Sequence, residues 1–135
     1  MKYLLDTNIC IYLIKRRPER VIHELTKHAV SELGISTITA AELWHGVARS
    51  QSFERSRAAL EQFLIPLVIA DFDSAAAAVY GQVWATLEKQ GRPIGPFDTL
   101  IAAHALSLGV TLVTNNEREF RRVPGLTVVN WASDE

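Results

Sequence analysis

Four polar residues stand where an α/β chain concentrates its chemistry: Asp6 behind the apolar run Lys2 to Leu5, Glu42 in TITAAEL, Asp98 in GPFDTLIAA, and Asn116 behind the run Val110 to Thr114. Carboxylates gathered in apolar, small-residue surroundings are poorly hydrated and repel one another, a cost relieved chiefly by proton uptake or by a divalent cation. An all-oxygen cluster, with no thiolate and no imidazole at ligand spacing, favours a hard ion, Mg²⁺ or Mn²⁺. Such a centre suits phosphodiester hydrolysis, in which the ion polarises a phosphoryl oxygen and acidifies a water while a carboxylate orients that water for in-line attack.

Each residue taken alone also has a plainer explanation. Asp6 and Asp98 have the position of helix caps, Thr39 with Glu42 has the T-x-x-E form of a capping box, and Asn116 with Glu119 has the related N-x-x-E form. The set tips the balance, because the elements around these residues carry them to one place. Short apolar runs alternate with longer helical patterns, which predicts an α/β fold with a parallel sheet flanked by helices. Strands are expected at Lys2 to Leu5, Leu33 to Ser36, Leu67 to Ala70, Val110 to Thr114 and Leu126 to Asn130. Helices are expected after Asp6 as far as Pro18, then at about Glu19 to Ala29, Ala40 to Arg49, Phe53 to Phe63, Asp73 to Lys89 and Phe97 to Leu108, with a last turn at Glu117 to Phe120. Asp73 is a natural N-cap and Gly109 a natural C′ glycine. In a right-handed parallel sheet the strand C-termini and the following helix N-termini share one edge. Asp6, Glu42, Asp98 and Asn116 are all predicted to sit there, where helix N-termini also favour carboxylates and a bound phosphate.

The bulk properties leave room for this reading. With 135 residues and 48% hydrophobic content, the chain has the size and core of one domain, spanning 1–135, without repeats or linkers. The single Cys10 excludes an intramolecular disulfide and fits a reducing cytoplasm. The opening MKYLLDTNICIYLIKRR is not read as a signal peptide, since Asp6 and Asn8 interrupt the apolar run, and no stretch reaches the roughly 20 apolar residues of a membrane span. A formal charge of −1 confines any polyanion contact to local clusters: Lys15, Arg16, Arg17 and Arg20, then Arg55 and Arg57, then Arg118, Arg121 and Arg122.

Other reactive side chains make a poorer case. Glu42 and His45 form a lone E-x-x-H with no second copy for a di-iron bundle, so His45 reads as a surface or partner-facing residue. His104, six residues beyond Asp98, falls on another helix face and reads as structural, while His23 and His28 are placed on an exposed helix. No serine has a G-x-S-x-G context, and Trp44, Trp84 and Trp131 read as core or interface.

Four segments, LLDTNICIYLIK, STITAAELWHGV, GRPIGPFDTLIAAHA and LVTNNEREFRRVPGL, resemble in order and spacing a PIN-domain protein of the VapC toxin class. The resemblance implies a three-layer α/β/α sandwich with a central parallel sheet. It implies Asp6 and Asp98 as the principal Mg²⁺ ligands, Glu42 as the third acidic residue, and Thr7 or Asn8 orienting the first. It further implies a Mg²⁺-dependent endoribonuclease toxin, with Mn²⁺ able to substitute, acting on structured RNA such as transfer RNA. A cognate antitoxin crossing the acidic groove and a dimer of toxins complete the expectation. The family often carries a fourth acid where this chain has Asn116, which can bond a water but brings no charge, and Glu119 is a candidate to compensate. A haloacid-dehalogenase-type phosphatase would need an acid at Asn8. A structure-specific DNA nuclease would need a longer chain. The non-enzyme alternative is a catalytically inactive PIN-like binding module, against which Asp6, Glu42 and Asp98 argue.

Overall fold

The computed structural model describes residues 1–132. Strands β1 (Tyr3–Leu5), β2 (Leu33–Ser36), β3 (Val68–Ala70), β4 (Thr111–Val113) and β5 (Val128–Val129) form one sheet in the order β3-β2-β1-β4-β5. Every pairing is parallel, with Leu4 opposite both Gly34 and Leu112, and Leu5 opposite Val113. Because successive side chains alternate across a sheet, Leu4 and Leu112 enter one core while Leu5 and Val113 enter the other. Helices α1 (Thr7–Lys15), α2 (Glu19–Thr26), α3 (Thr37–Ala48) and α4 (Phe53–Leu64) cover the Leu5 face. Helices α5 (Ser74–Lys89), α6 (Pro96–Leu108) and the short α7 (Glu117–Phe120) cover the Leu4 face. The expected three-layer sandwich is the observed one.

The chain runs outward from β1 through β2 to β3, then crosses back to β4 on the other side of β1. A crevice opens at the carboxyl ends of the strands where the winding direction reverses, and here it opens between β1 and β4. The predicted caps of two helices are found. Asp73 Oδ1 accepts from Ala76 N–H at 3.0 Å, and Gly109, at φ 67°, closes α6 through Ala105 and Leu106 carbonyls.

Other local expectations are corrected. Helix α3 starts at Thr37, not Ala40, because the buried Ser36 hydroxyl accepts from Ile38 N–H at 3.0 Å and is the cap in place of Thr39. Thr39 is buried inside the helix and Glu42 stands in its second turn, so the T-x-x-E capping box does not form. Helix α2 stops at Thr26, and a 3₁₀ turn at Val30–Glu32 comes after it, with Glu32 Oε1 accepting from Ala29 N–H at 3.3 Å. His23 is exposed as expected, but His28 lies beyond that helix and stacks on Trp131 with ring centroids 4.9 Å apart and planes 8° apart. Trp131 belongs to the core, whereas Trp44 and Trp84 are 38% and 49% exposed. Among the described residues no helix is long and apolar enough to cross a membrane.

Candidate functional site

Asp6 follows β1 directly and caps α1. Its Oδ1 accepts from Ile9 N–H at 2.9 Å, and its Oδ2 accepts a short hydrogen bond from the Thr114 hydroxyl at the end of β4. The same Thr114 oxygen accepts from Asn116 N–H at 2.9 Å, which fixes the direction of its own proton. Asp6 is thus both a cap and the floor of the crevice. Burial pushes its carboxyl up to about 6, the bonds from Thr114 and Ile9 opposing the rise and the charges of Asp98 and Glu42 adding to it.

Asp98 is the third residue of α6, where Pro96 sets the first turn and Gly95 offers no side-chain cap. The carboxylate makes no capping bond. Burial first, then the charges of Glu119 and Glu42, push it up to about 6 as well. Glu42 reaches the same place from the opposite helical layer, its Oε1 accepting from the Thr7 hydroxyl at 2.6 Å. Thr7 also donates toward Thr39 Oγ1 at 3.3 Å. The family resemblance implies that Thr7 or Asn8 orients Asp6; the Thr7 hydroxyl instead holds Glu42. Asn8 is exposed at the mouth of the crevice.

Asn116 precedes α7 without a side-chain capping bond; its Nδ2 donates to Glu119 Oε2 at 3.1 Å. The N-x-x-E box is therefore replaced by a side-chain pair that steers Glu119 toward Asp98. The charges of Asp98 and Glu42 reach Asp6, and those of Glu119 and Glu42 reach Asp98; Glu119 enters where the strand-edge argument puts Asn116. Of the hydroxyls around them, Thr114 carried no local signal, and Thr39 carried only that of a capping box that does not form. Only the position of Thr114 at a strand end, facing another strand end, could have pointed to it.

The donors are all oxygen, and two of them are raised by burial first and by neighbouring carboxylates second, a state that a hard divalent cation relieves. In this arrangement, no three acidic, imidazole or thiol groups among the described residues are grouped closely enough to grip one ion together. Chemistry and charge fit a cation; its final coordination would require small side-chain movements.

His104 lies away from the crevice, buried, with Nδ1 at 2.8 Å from Ser36 Oγ and its ring edge on Phe72. Burial holds the imidazole below its ordinary pKa, the charges of Asp73 and Asp71 opposing. The reading of His104 as structural holds, with one addition: it ties α6, which carries Asp98, to the cap of α3, which carries Glu42.

From Glu42 a cleft of about 1110 Å³ runs between α1, α3 and α4, floored by Ile11, Leu43 and Val47 and edged by Lys15, Arg49, Arg55 and His45. The other basic residues are partly spent. Arg57 lies between Glu54 and Glu61, at 2.7 Å from each, and Arg121 pairs with Glu117 at 3.2 Å.

Comparisons with known proteins assign this fold to a family. Residues 3–126 match the PIN domain family, and the chain belongs to it. It is 46% identical over 132 residues to the tRNA(fMet)-specific endonuclease VapC of Shigella flexneri, covering 98% of this chain and 99% of the relative. It is 47% identical over 131 residues to Ribonuclease VapC2 of Haemophilus influenzae, covering 97% and 98%. Among solved structures, a chain of DNA-bound VapBC from Salmonella typhimurium superposes with a TM-score of 0.92 at 43% identity, over 97% of this chain and 98% of that one. Within the family the chain is a ribonuclease of the VapC type, the toxin class of toxin–antitoxin pairs.

Proposed function

We propose that the chain hydrolyses phosphodiester bonds of structured RNA, transfer RNA above all, with Mg²⁺ held by Asp6, Asp98 and Glu42. The observation that carries this reading is the convergence of those carboxylates, with Asp6 and Asp98 both pushed up to about 6. Bound there, a divalent cation would supply a more acidic water and charge neutralisation at the phosphate. Asp6 is presented rigidly by its bonds to Ile9 and Thr114. Glu42 keeps Oε2 for the attacking water while Thr7 holds Oε1. Asn116 acts through Glu119, orienting a carboxylate that approaches Asp98 from the far side.

A cognate antitoxin is the second half of the proposal. The apolar floor and basic edge of the cleft beside Glu42 suit an amphipathic segment that would cross the acidic centre and shut it. Half-exposed Trp84, tilted on Tyr80, supports pairing of two copies through α5. The cytoplasm is the compartment this reading requires.

The test is incubation of purified protein with end-labelled transfer RNA and with duplex DNA, in Mg²⁺, in Mn²⁺ and in EDTA. Cleavage of RNA alone, dependent on the ion and abolished by co-purified antitoxin, is expected. Metal-independent cleavage would overturn the role given to the ion, and a folded protein that cuts no RNA would overturn the reading in favour of an inactive binding module.

A further inference from the structure

Phe97 precedes Asp98 and is 54% exposed, yet it belongs to a helix whose next turn, at Ile101, is 1% exposed. The apolar stripe of α6 therefore runs out of the core at its first turn and leaves an aromatic ring standing over the carboxyl edge of the sheet. Among the described residues no other ring packs against it, in contrast to Trp84 with Tyr80. Of the exposed Phe, Tyr and Trp side chains among the described residues, Phe97 alone lines the cleft that also contains Thr7, Asn8 and Glu42.

The ring stands on a stiff pedestal. Pro96 fixes the backbone before it, and Gly95 O accepts from both Thr99 N–H at 2.9 Å and Thr99 Oγ1 at 2.8 Å. A side chain with two torsions on such a base loses little entropy when something packs on it. Phe97 and Glu42 line the same cleft, so whatever covers the ring lies on the approach to the Glu42 carboxylate. Single-stranded RNA is recognised largely by unstacked bases laid on aromatic side chains.

We infer that Phe97 is a substrate-binding residue: its ring stacks an unpaired base of the RNA next to the bond to be cut. This rests on the ribonuclease reading above and adds to it the form of the substrate, a looped-out or single-stranded nucleotide rather than a paired one. The base sits on Phe97 while its phosphate points into the crevice, and a duplex is refused because its bases are already stacked.

The experiment uses the full chain with Ca²⁺ in place of Mg²⁺, and an RNA stem-loop carrying 2-aminopurine at each loop position in turn. Stacking on a ring changes the fluorescence of that base. Wild type should change it at one or two positions, Phe97→Leu should abolish the change, and Phe97→Trp should restore it. Phe97→Leu should bind the stem-loop roughly 5- to 100-fold more weakly, the size of one base–aromatic stack. In Mg²⁺ its KM should rise by a similar factor with kcat within about twofold, the mark of binding lost equally in ground and transition states. Unchanged affinity and fluorescence in Phe97→Leu would overturn the inference, as would loss of kcat at constant KM, which would mean that Phe97 merely places Asp98. Loss of antitoxin binding with RNA affinity intact would assign the ring to the protein partner instead. A wild type that neither binds nor cuts any RNA would strike the ribonuclease reading itself.

Discussion

The two helical layers are built to opposite specifications. On the Leu4 face, α5 and α6 meet through small buried side chains, Ala76, Ala102, Ala103 and Ala105, which let their backbones come close. On the Leu5 face, α1, α3 and α4 carry larger residues and stand far enough apart to leave the cleft of about 1110 Å³. Asp98 is mounted on the dense layer without a capping bond, and Glu42 on the open layer, tied down by Thr7. The dense layer mounts its acid on a closely packed helix with no tether. The open layer holds its acid by a dedicated hydrogen bond.

The largest effect expected is on the dense side. Asp98→Asn should lower RNA cleavage by roughly a thousandfold or more, the scale of losing charge stabilisation in a preorganised site. Its metal-free melting temperature should stay or rise, since one of several crowded charges has gone. Near-normal cleavage by that variant would remove Asp98 from the centre.

The packing contrast itself can be broken next. Ala102→Leu, at a position with no exposure, should cost about 1–3 kcal/mol in urea titration through overpacking. Ala59→Leu, on the cleft wall and exposed, should stay within about 0.5 kcal/mol. Equal costs would mean that the two layers are equally dense.

His104 and Ser36 join the layers, and their bond can be weighed separately. Ser36→Ala should cost about 1–2 kcal/mol as a lost cap and hydrogen bond. His104→Phe should cost a similar amount, and the double variant less than the sum, because both remove one interaction. Strict additivity in a double-mutant cycle would show that the two act independently.

The smallest expected effect is of pH on the metal-free protein. The folded-state values of Asp6 and Asp98, about 6, lie above the ordinary 3.8, so the folded protein binds protons more tightly than the unfolded chain. Their contribution is favourable below pH 4 and is lost as pH rises from about 4 to about 6. The stability difference between the Asp6→Asn, Asp98→Asn double variant and wild type should widen over that window, and Mg²⁺ should narrow it again at pH 7. A difference that is flat across pH 4 to 6 would contradict the crowding of these carboxylates.

Of the acidic residues, Asp6 was legible by topology, because it directly follows an apolar strand; Glu42, in the second turn of α3, and Asp98, on a helix that follows α5 rather than a strand, were legible only as carboxylates in apolar, small-residue surroundings. Hydroxyl roles were not legible. Ser36 and Thr39 are both good caps by local chemistry, and the choice between them is made by His104, 68 residues away, and by Thr7, which draws Glu42 and Thr39 inward. Asn116 and Glu119 have the spacing of a box, yet the Thr114 oxygen takes the Asn116 N–H and leaves the amide free for Glu119. His28 reads as exposed only if helical spacing is carried past Thr26, where the helix has already ended. For Ser36 and Thr39 a contact distant in sequence decided between two locally equivalent options.

The strand order also sets a timetable. The helices of the open layer, α1 to α4, lie in the first 70 residues, whereas Asp98 and Thr114 come late and β4 must return to pair with β1. A ribosome adding roughly 5–20 residues per second needs several seconds after finishing β3 before Thr114 can reach Asp6. A nascent chain therefore carries the helices of the open layer well before it carries Asp98, Thr114, or the Val113 and Trp131 that complete that layer's core.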